Sequence, residues 1–183
     1  MFKILILTIT FALFYTYTII AQNDMKKAPP VTVDYVDLEK YSGLWYEIAK
    51  LPNSFQDQCK YGTTAEYIID KGGNITVINK CYEEDGQLDV AEGVANIVDK
   101  TTNSKLEVSF VSFLGIRPFW GDYWIIGLNE DYTYAVIGHP KRKYGWILSR
   151  KPSLPEETLK QILELLKGQG YDPKRFEMTI HKK

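Results

Sequence analysis

Gly43-Leu44-Trp45-Tyr46-Glu47-Ile48-Ala49-Lys50-Leu51-Pro52 is the stretch whose reading decides the fold. A glycine, one spacer and a tryptophan open an extended run, and Pro52 stops it because a proline cannot donate to a strand ladder. Trp45 is a large aromatic at the first inward position, so something arriving later in the chain must cover it. The candidate is Arg150, at the end of the last strand-like run. On this reading the chain between them closes on itself as a barrel, with Trp45 and Arg150 at its floor.

Working outward, residues 37–41 suit one helical turn capped by Asp37 and ended by Gly43, placed as a plug under that floor, with a simple loop as the alternative. Strands follow at 45–51, 61–69, 74–82, 88–98, 105–110, 122–128, 133–138 and 144–149, with Lys71-Gly72-Gly73 and Glu84-Asp85-Gly86 as turns. In 105–110 the alternation puts Leu106, Val108 and Phe110 on one face. Eight antiparallel strands joined by short turns imply an all-β, up-and-down barrel, whose interior can be filled or can hold one small ligand. After Pro152 the period changes: Leu159, Ile162, Leu163 and Leu166 share one helical face, Pro155 and Glu156-Glu157 suit its start, and Gly168 or Gly170 its end. This C-terminal α-helix packs outside the barrel, and 175–180 adds a short edge strand.

The chain of 183 residues suits one domain. Its net charge of −1 leaves no electrostatic footprint for nucleic acid. Lys3, the apolar run 4–20 and Ala21 are expected to form a signal peptide over 1–21, with an uncleaved anchor as the alternative. A flexible lead-in is expected over 22–36 and the folded domain over 37–183. No cysteine follows the leader to carry a lipid, so the expectation is a soluble protein of the periplasm or the extracellular space, monomeric or weakly dimeric. In that oxidising setting Cys59 and Cys81 are expected to bond. A regular ladder counted from Gly72-Gly73 would hold them too far apart, so a bulge or a folded-back loop is required.

Alternate connections lie at alternate ends of an up-and-down barrel. The loops 52–60, 83–86, 111–121 and 139–143 share the end away from Trp45, and being longer they mark the mouth. Phe113, Leu114, Ile116, Phe119 and Trp120 crowd one of them, around Arg117, and Lys141-Arg142-Lys143 sits on another. An apolar lip beside a cationic lip suits an amphiphile with an anionic headgroup, or transient contact with an anionic membrane; the alternative is an aromatic loop folded over the core and a basic loop that is merely solvated.

Gly43-Leu44-Trp45 after a short turn, Asn129-Glu130-Asp131-Tyr132 between strands six and seven, and Leu148-Ser149-Arg150 at the end of strand eight resemble the three conserved regions of the lipocalins. The match runs through nearly the whole mature chain. It is most similar to the bacterial lipocalin (outer-membrane lipocalin) and apolipoprotein D group, although Glu130 stands where many lipocalins have Thr and the lipidated cysteine of outer-membrane members is absent. The resemblance implies structural roles for Gly43, Trp45, Asp131, Tyr132 and Arg150, and pocket positions at Tyr67 and Asn79. Alternation then turns Leu148 and Trp146 inward with Arg150, Thr63 and Ala65 with Tyr67, and Val77 and Cys81 with Asn79. Strand six is apolar on both faces and does not reveal its inward set.

Such a pocket, apolar with a few polar points, suits lipids: fatty acids, lysophospholipids or phospholipid acyl chains; the alternative is that Tyr67 and Trp146 fill a closed core. The resemblance implies a part in membrane biogenesis or maintenance under stress. The alternatives are a secreted scavenger of a pigment, haem or other hydrophobic metabolite, and an enzyme acting on a lipid. Catalysis is not expected: His139 and His181 have no evident nucleophile, and a disulfide would disarm Cys81, the only inward candidate. No metal-ligand cluster and no cofactor motif is evident.

Overall fold

The computed structural model describes residues 28–182. The expected leader, 1–21, lies outside them. In chain order the elements are α1 (Leu38–Tyr41), β1 (Gly43–Lys50), a 3₁₀ turn (Ser54–Gln56), β2 (Tyr61–Ile69), β3 (Ile75–Tyr82), β4 (Leu88–Ile97), β5 (Lys105–Ser109), β6 (Gly121–Leu128), β7 (Tyr134–Gly138), β8 (Gly145–Ser149), α2 (Glu156–Gly168), a second 3₁₀ turn (Pro173–Arg175) and β9 (Glu177–Met178). Strands β1 to β8 pair in sequence order, all antiparallel, and β1 closes the barrel by pairing with both β8 and β2.

The floor is built as expected. Asp37 accepts from the Glu39 and Lys40 amides and caps α1. The Arg150 guanidinium carbon lies 3.7 Å from the centroid of the Trp45 indole, which is fully buried. Its nitrogens donate to the carbonyls of Lys40, Tyr41 and Ser42, which the end of α1 leaves unpaired, and to that of Leu44 in β1. Gly43 has φ +91°, a conformation that favours glycine, and lets the chain turn from α1 into β1 within reach of Arg150.

The lead-in departs from expectation in its described part. Val33 donates to the Ile125 carbonyl, Val36 to that of Thr102, and the Val36 side chain is fully buried. Residues 33–36 therefore seal the closed end, because Val33 and Val36 have apolar surface to bury there.

Two apolar layers result. The interior layer includes Trp45, Tyr67, Val77, Leu106, Tyr123 and Leu148. The outer layer packs Ile48, Ala49, Ile126, Val136 and Ile147 under Ile162 and Leu166 of α2. Gly170, at φ +80°, terminates the helix: its amide donates to Lys167 and that of Tyr171 to Leu166. A bulge in β1 between Glu47 and Ala49 places the consecutive residues Ile48 and Ala49 together in the outer layer.

Cys59 and Cys81 are bonded, with Cα atoms 5.4 Å apart. The register shift between Tyr61 and Thr64 and the fold-back of Cys59 onto Gln56 supply the irregularity that a regular ladder lacks. Arg150→Ala is expected to lower unfolding free energy by roughly 2–3 kcal/mol, through the lost stacking and charged hydrogen bonds, and to leave ligand selectivity unchanged. Denaturant melts paired with ligand titrations check it; lost binding with an unchanged melt would contradict it.

Candidate functional site

The barrel interior has two tiers. In the lower one three tyrosines from α1, β2 and β6 meet: the Tyr67 hydroxyl donates to that of Tyr123 at 2.7 Å, and the Tyr41 and Tyr123 hydroxyls share a bond of 2.7 Å. Burial pushes all three phenols above their ordinary value. A cavity of about 10 Å³ remains beside them, lined by Leu38, Ile75, Ala95 and Leu106 among others, with room for no more than about one water. This tier is packed, and it ends any pocket from below.

In the upper tier inward positions stay accessible. Ala65, Asn79 and Ala91 are register partners and so share the inward face; Ala65 and Asn79 are half-buried and Ala91 is exposed. Trp146 is half-buried, and its indole N–H donates to Gln56 Oε1 at 3.0 Å. Gln56 Nε2 in turn donates to Glu47 Oε2 at 2.8 Å, and the Thr179 hydroxyl donates to Glu47 Oε1 at 2.6 Å. Burial pushes the Glu47 carboxyl above its ordinary range, against the two hydrogen bonds that hold it down. Lys50 is the register partner of Trp146 and shares its face. Phe55 and Tyr144 pack on each other at 5.3 Å and on Trp146 at 6.2 and 6.0 Å, completing an aromatic wall at the mouth.

The rim carries exposed apolar side chains. Phe113 and Ile116 exchange backbone hydrogen bonds across a two-residue tip, Leu114-Gly115, both at positive φ. That turn normally takes Asn-Gly. Here Leu114 stands at the tip 87% exposed, with Phe113, Ile116 and Phe119 also exposed. Arg117 is tied to the Ser109 carbonyl.

The lipocalin-like domain model matches residues 36–181. The chain belongs to the lipocalin-like family. It is 40% identical over 147 residues to temperature-induced lipocalin-1 of Arabidopsis thaliana, covering 79% of this chain and 78% of the relative. It is 38% identical over 142 residues to the outer membrane lipoprotein Blc of Vibrio cholerae, covering 76% and 80%. Insecticyanin from the tobacco hornworm Manduca sexta superposes with a TM-score of 0.68 at 28% identity, covering 85% of each chain. The family is one of binding and carrier proteins for hydrophobic ligands.

In this lipocalin Tyr67, Val77, Leu106 and Leu148 are buried in the interior layer, and Ala65, Val108 and Trp146 are half-buried against it. Phe110 follows β5 and packs over the inner face of Gly93, where a Cβ would meet its ring at 2.6 Å. One rim residue needs correction. The Arg142 side chain turns away from the mouth to donate to the carbonyls of Gln169 and Ala28, because the C-terminal end of α2 lies beside its loop. The cationic lip is thus Lys141 and Lys143, the latter's Nζ 4.9 Å from the Tyr144 ring centroid. Tyr132 stands beneath the floor, its hydroxyl accepting from the Asp37 amide, and Asp131 is exposed in the same turn.

Sequence reasoning missed Tyr41, Tyr123, Glu47, Lys50 and Gln56. The signal for Glu47 was available, since the alternation that turns Trp45 inward turns Glu47 inward too. Among the described residues Cys59, Cys81 and Asp89 come together at metal-ligand distance, but both sulfurs are spent in the disulfide.

Tyr123→Phe strands the Tyr41 and Tyr67 hydroxyls and is expected to lower unfolding free energy by about 1–3 kcal/mol, more than Tyr41→Phe does. Because the folded-state phenols are raised, their contribution is whole below about pH 10 and is lost as pH climbs toward the raised values. Phenolate absorbance should show a group of tyrosines that ionises only as the protein unfolds.

Proposed function

We propose that this lipocalin binds and carries lipids, namely fatty acids, lysophospholipids or phospholipid acyl chains, in the upper calyx, as a non-catalytic exported protein of the periplasm or extracellular space. The observation that carries the reading is the coincidence at one end of three features. There the inward face is accessible, the rim presents Phe113, Leu114, Ile116 and Phe119 to solvent, and Lys141 and Lys143 lie beside it. An acyl chain would run past Phe110, Asn79 and Trp146 and stop above Tyr67. Each methylene so buried contributes ~0.8 kcal/mol. Lys50, Lys141 and Lys143 would favour an anionic headgroup.

The rim hairpin supports delivery at a membrane surface. A leucine in the left-handed region costs about 1–2 kcal/mol and gains nothing in water. Buried in a lipid interface, Leu114 would recover that cost, and each nearby lysine adds on the order of 1 kcal/mol on an anionic leaflet. Membrane maintenance fits this role, and Blc of Vibrio cholerae is by name an outer membrane lipoprotein. The Cys59–Cys81 bond supports an oxidising compartment.

Delipidated protein titrated with lysophospholipid, fatty acid and haem, followed by tryptophan fluorescence, tests the ligand class. A lipid is expected to bind below about 10 μM, equivalent to roughly −7 kcal/mol. No lipid in that range, or a Soret band with haem, would turn the reading toward a pigment or haem carrier. Leu114→Glu is expected to weaken sedimentation with anionic vesicles at least about tenfold while leaving lipid affinity in solution intact. Equal sedimentation of the two proteins contradicts membrane contact through this hairpin.

A further inference from the structure

The barrel wall has a weak seam. β1 and β2 pair directly only at 43–46 with 64–67. Toward the mouth the C-terminal segment fills the gap between them. On one side Met178 and Glu177 are register partners of Ala49 and Lys50, and the Thr179 amide donates to the Ile48 carbonyl. On the other side the Gly62 amide donates to the Ile180 carbonyl at 2.7 Å. The His181 ring packs edge-on against Tyr46 of β1 at 5.4 Å, and Lys182 Nζ lies 3.3 Å from the ring centroid of Tyr61 of β2. Residues 177–182 thus lie across the seam as a strap.

What holds the strap is mainly polar. Met178 is 58% and Ile180 62% exposed, so apolar burial adds little. The inward anchor is the Thr179 hydroxyl on Glu47, whose other oxygen takes the Gln56 amide that positions Trp146. One buried carboxyl therefore joins the strap, the 52–60 loop and the aromatic wall.

We propose that residues 177–182 are a releasable strap in the calyx wall, buckled by Glu47, and that its release opens the seam between β1 and β2 for ligand exchange. The exchange part rests on the carrier reading above; the release part does not.

The buckle responds to pH. As a neutral acid Glu47 can donate to Thr179 Oγ1 and accept from Gln56 Nε2, so every partner is satisfied. As a carboxylate both oxygens accept, but the charge is buried. Lys50 on β1 and His181 on the strap are the charged or titratable groups whose fields reach it. β8 opposes it with Leu148, the loop with Gln56, and the register leads to Thr63 on β2. Burial, to which the closed strap contributes, raises the carboxyl above its ordinary value, against the hydrogen bonds from Thr179 and Gln56 that lower it. Closure is therefore favoured most below the ordinary carboxylate range and loses that support as pH rises through the raised value.

The test uses the full chain and a fluorescent lysophosphatidylcholine whose charge is constant over the range. Protection of the Gly62 and Thr179 amides, corrected for intrinsic exchange, is read without ligand; probe dissociation is read by stopped flow. Both are expected to quicken about fivefold in the native protein as pH rises from below the ordinary carboxylate range to above the raised value. Glu47→Gln should hold both at the slow value, and Thr179→Val should make both fast throughout. Ala49→Cys with Met178→Cys, register partners oxidised to lock the strap, should slow dissociation at high pH about fivefold relative to Met178→Cys alone. A native-like pH profile in Glu47→Gln overturns the buckle. Equal dissociation from locked and unlocked protein overturns passage through the seam. A probe that never binds, with the amide profile as expected, refutes the carrier reading and leaves the strap standing.

Discussion

One guanidinium ties the closed end of this barrel together. Arg150 covers the fully buried Trp45 indole and donates to four carbonyls from α1 and the start of β1, joining points 106 residues apart in sequence at Leu44. Trp45 completes the knot by donating from its own indole to the Tyr41 carbonyl. The last strand thereby meets the first, and an open sheet becomes a cylinder with no exposed edge at that end. A floor so fully committed to its own hydrogen bonds has no capacity left for a ligand. Binding is displaced to the other end.

That displacement explains the division of the interior. Just above the floor the space is filled by tyrosines whose hydroxyls satisfy one another, an apolar core with a polar pin. Higher up the polar groups are Gln56, Glu47 and Asn79, and they come from a loop and from the middle of β1 and β3. Rigid packing and adjustable polarity occupy separate levels. The bulge in β1 connects them: before it Glu47 faces inward, after it Ala49 faces α2, and Lys50 returns to the inner face beside Trp146.

Much of this was legible in the residues. The eight strands, the capped turn before Gly43, the pairing of Trp45 with Arg150 and the outer helix each follow from short-range pattern. The inward set on β2, β3, β5 and β8 followed from alternation once one residue on each strand was placed. β6 defeated that method, because its outer face lies under α2 and is as apolar as its inner face, so Tyr123 was hidden. Lys50 was hidden by the bulge, which changes parity without a sequence mark. Gln56 depends on how a ten-residue loop folds over the mouth, and Arg142 on where α2 ends; neither is a local property. The lead-in reads as flexible from its polarity and prolines, yet Val33 and Val36 carry the apolar surface that docks it. The rim hairpin was visible as a run of apolar residues, while its tip at Leu114-Gly115 was not.

The central claim is that a lipid lies in the barrel with its tail inward and its headgroup at the end opposite Trp45 and Arg150. A crystal structure with a lysophospholipid brominated at the end of its acyl chain tests it most directly. The anomalous bromine signal should lie inside the barrel above Tyr67, with the headgroup between the 111–121 loop and Lys141 and Lys143. Bromine outside the barrel, or a headgroup at the tyrosines with the tail at the rim, would contradict it.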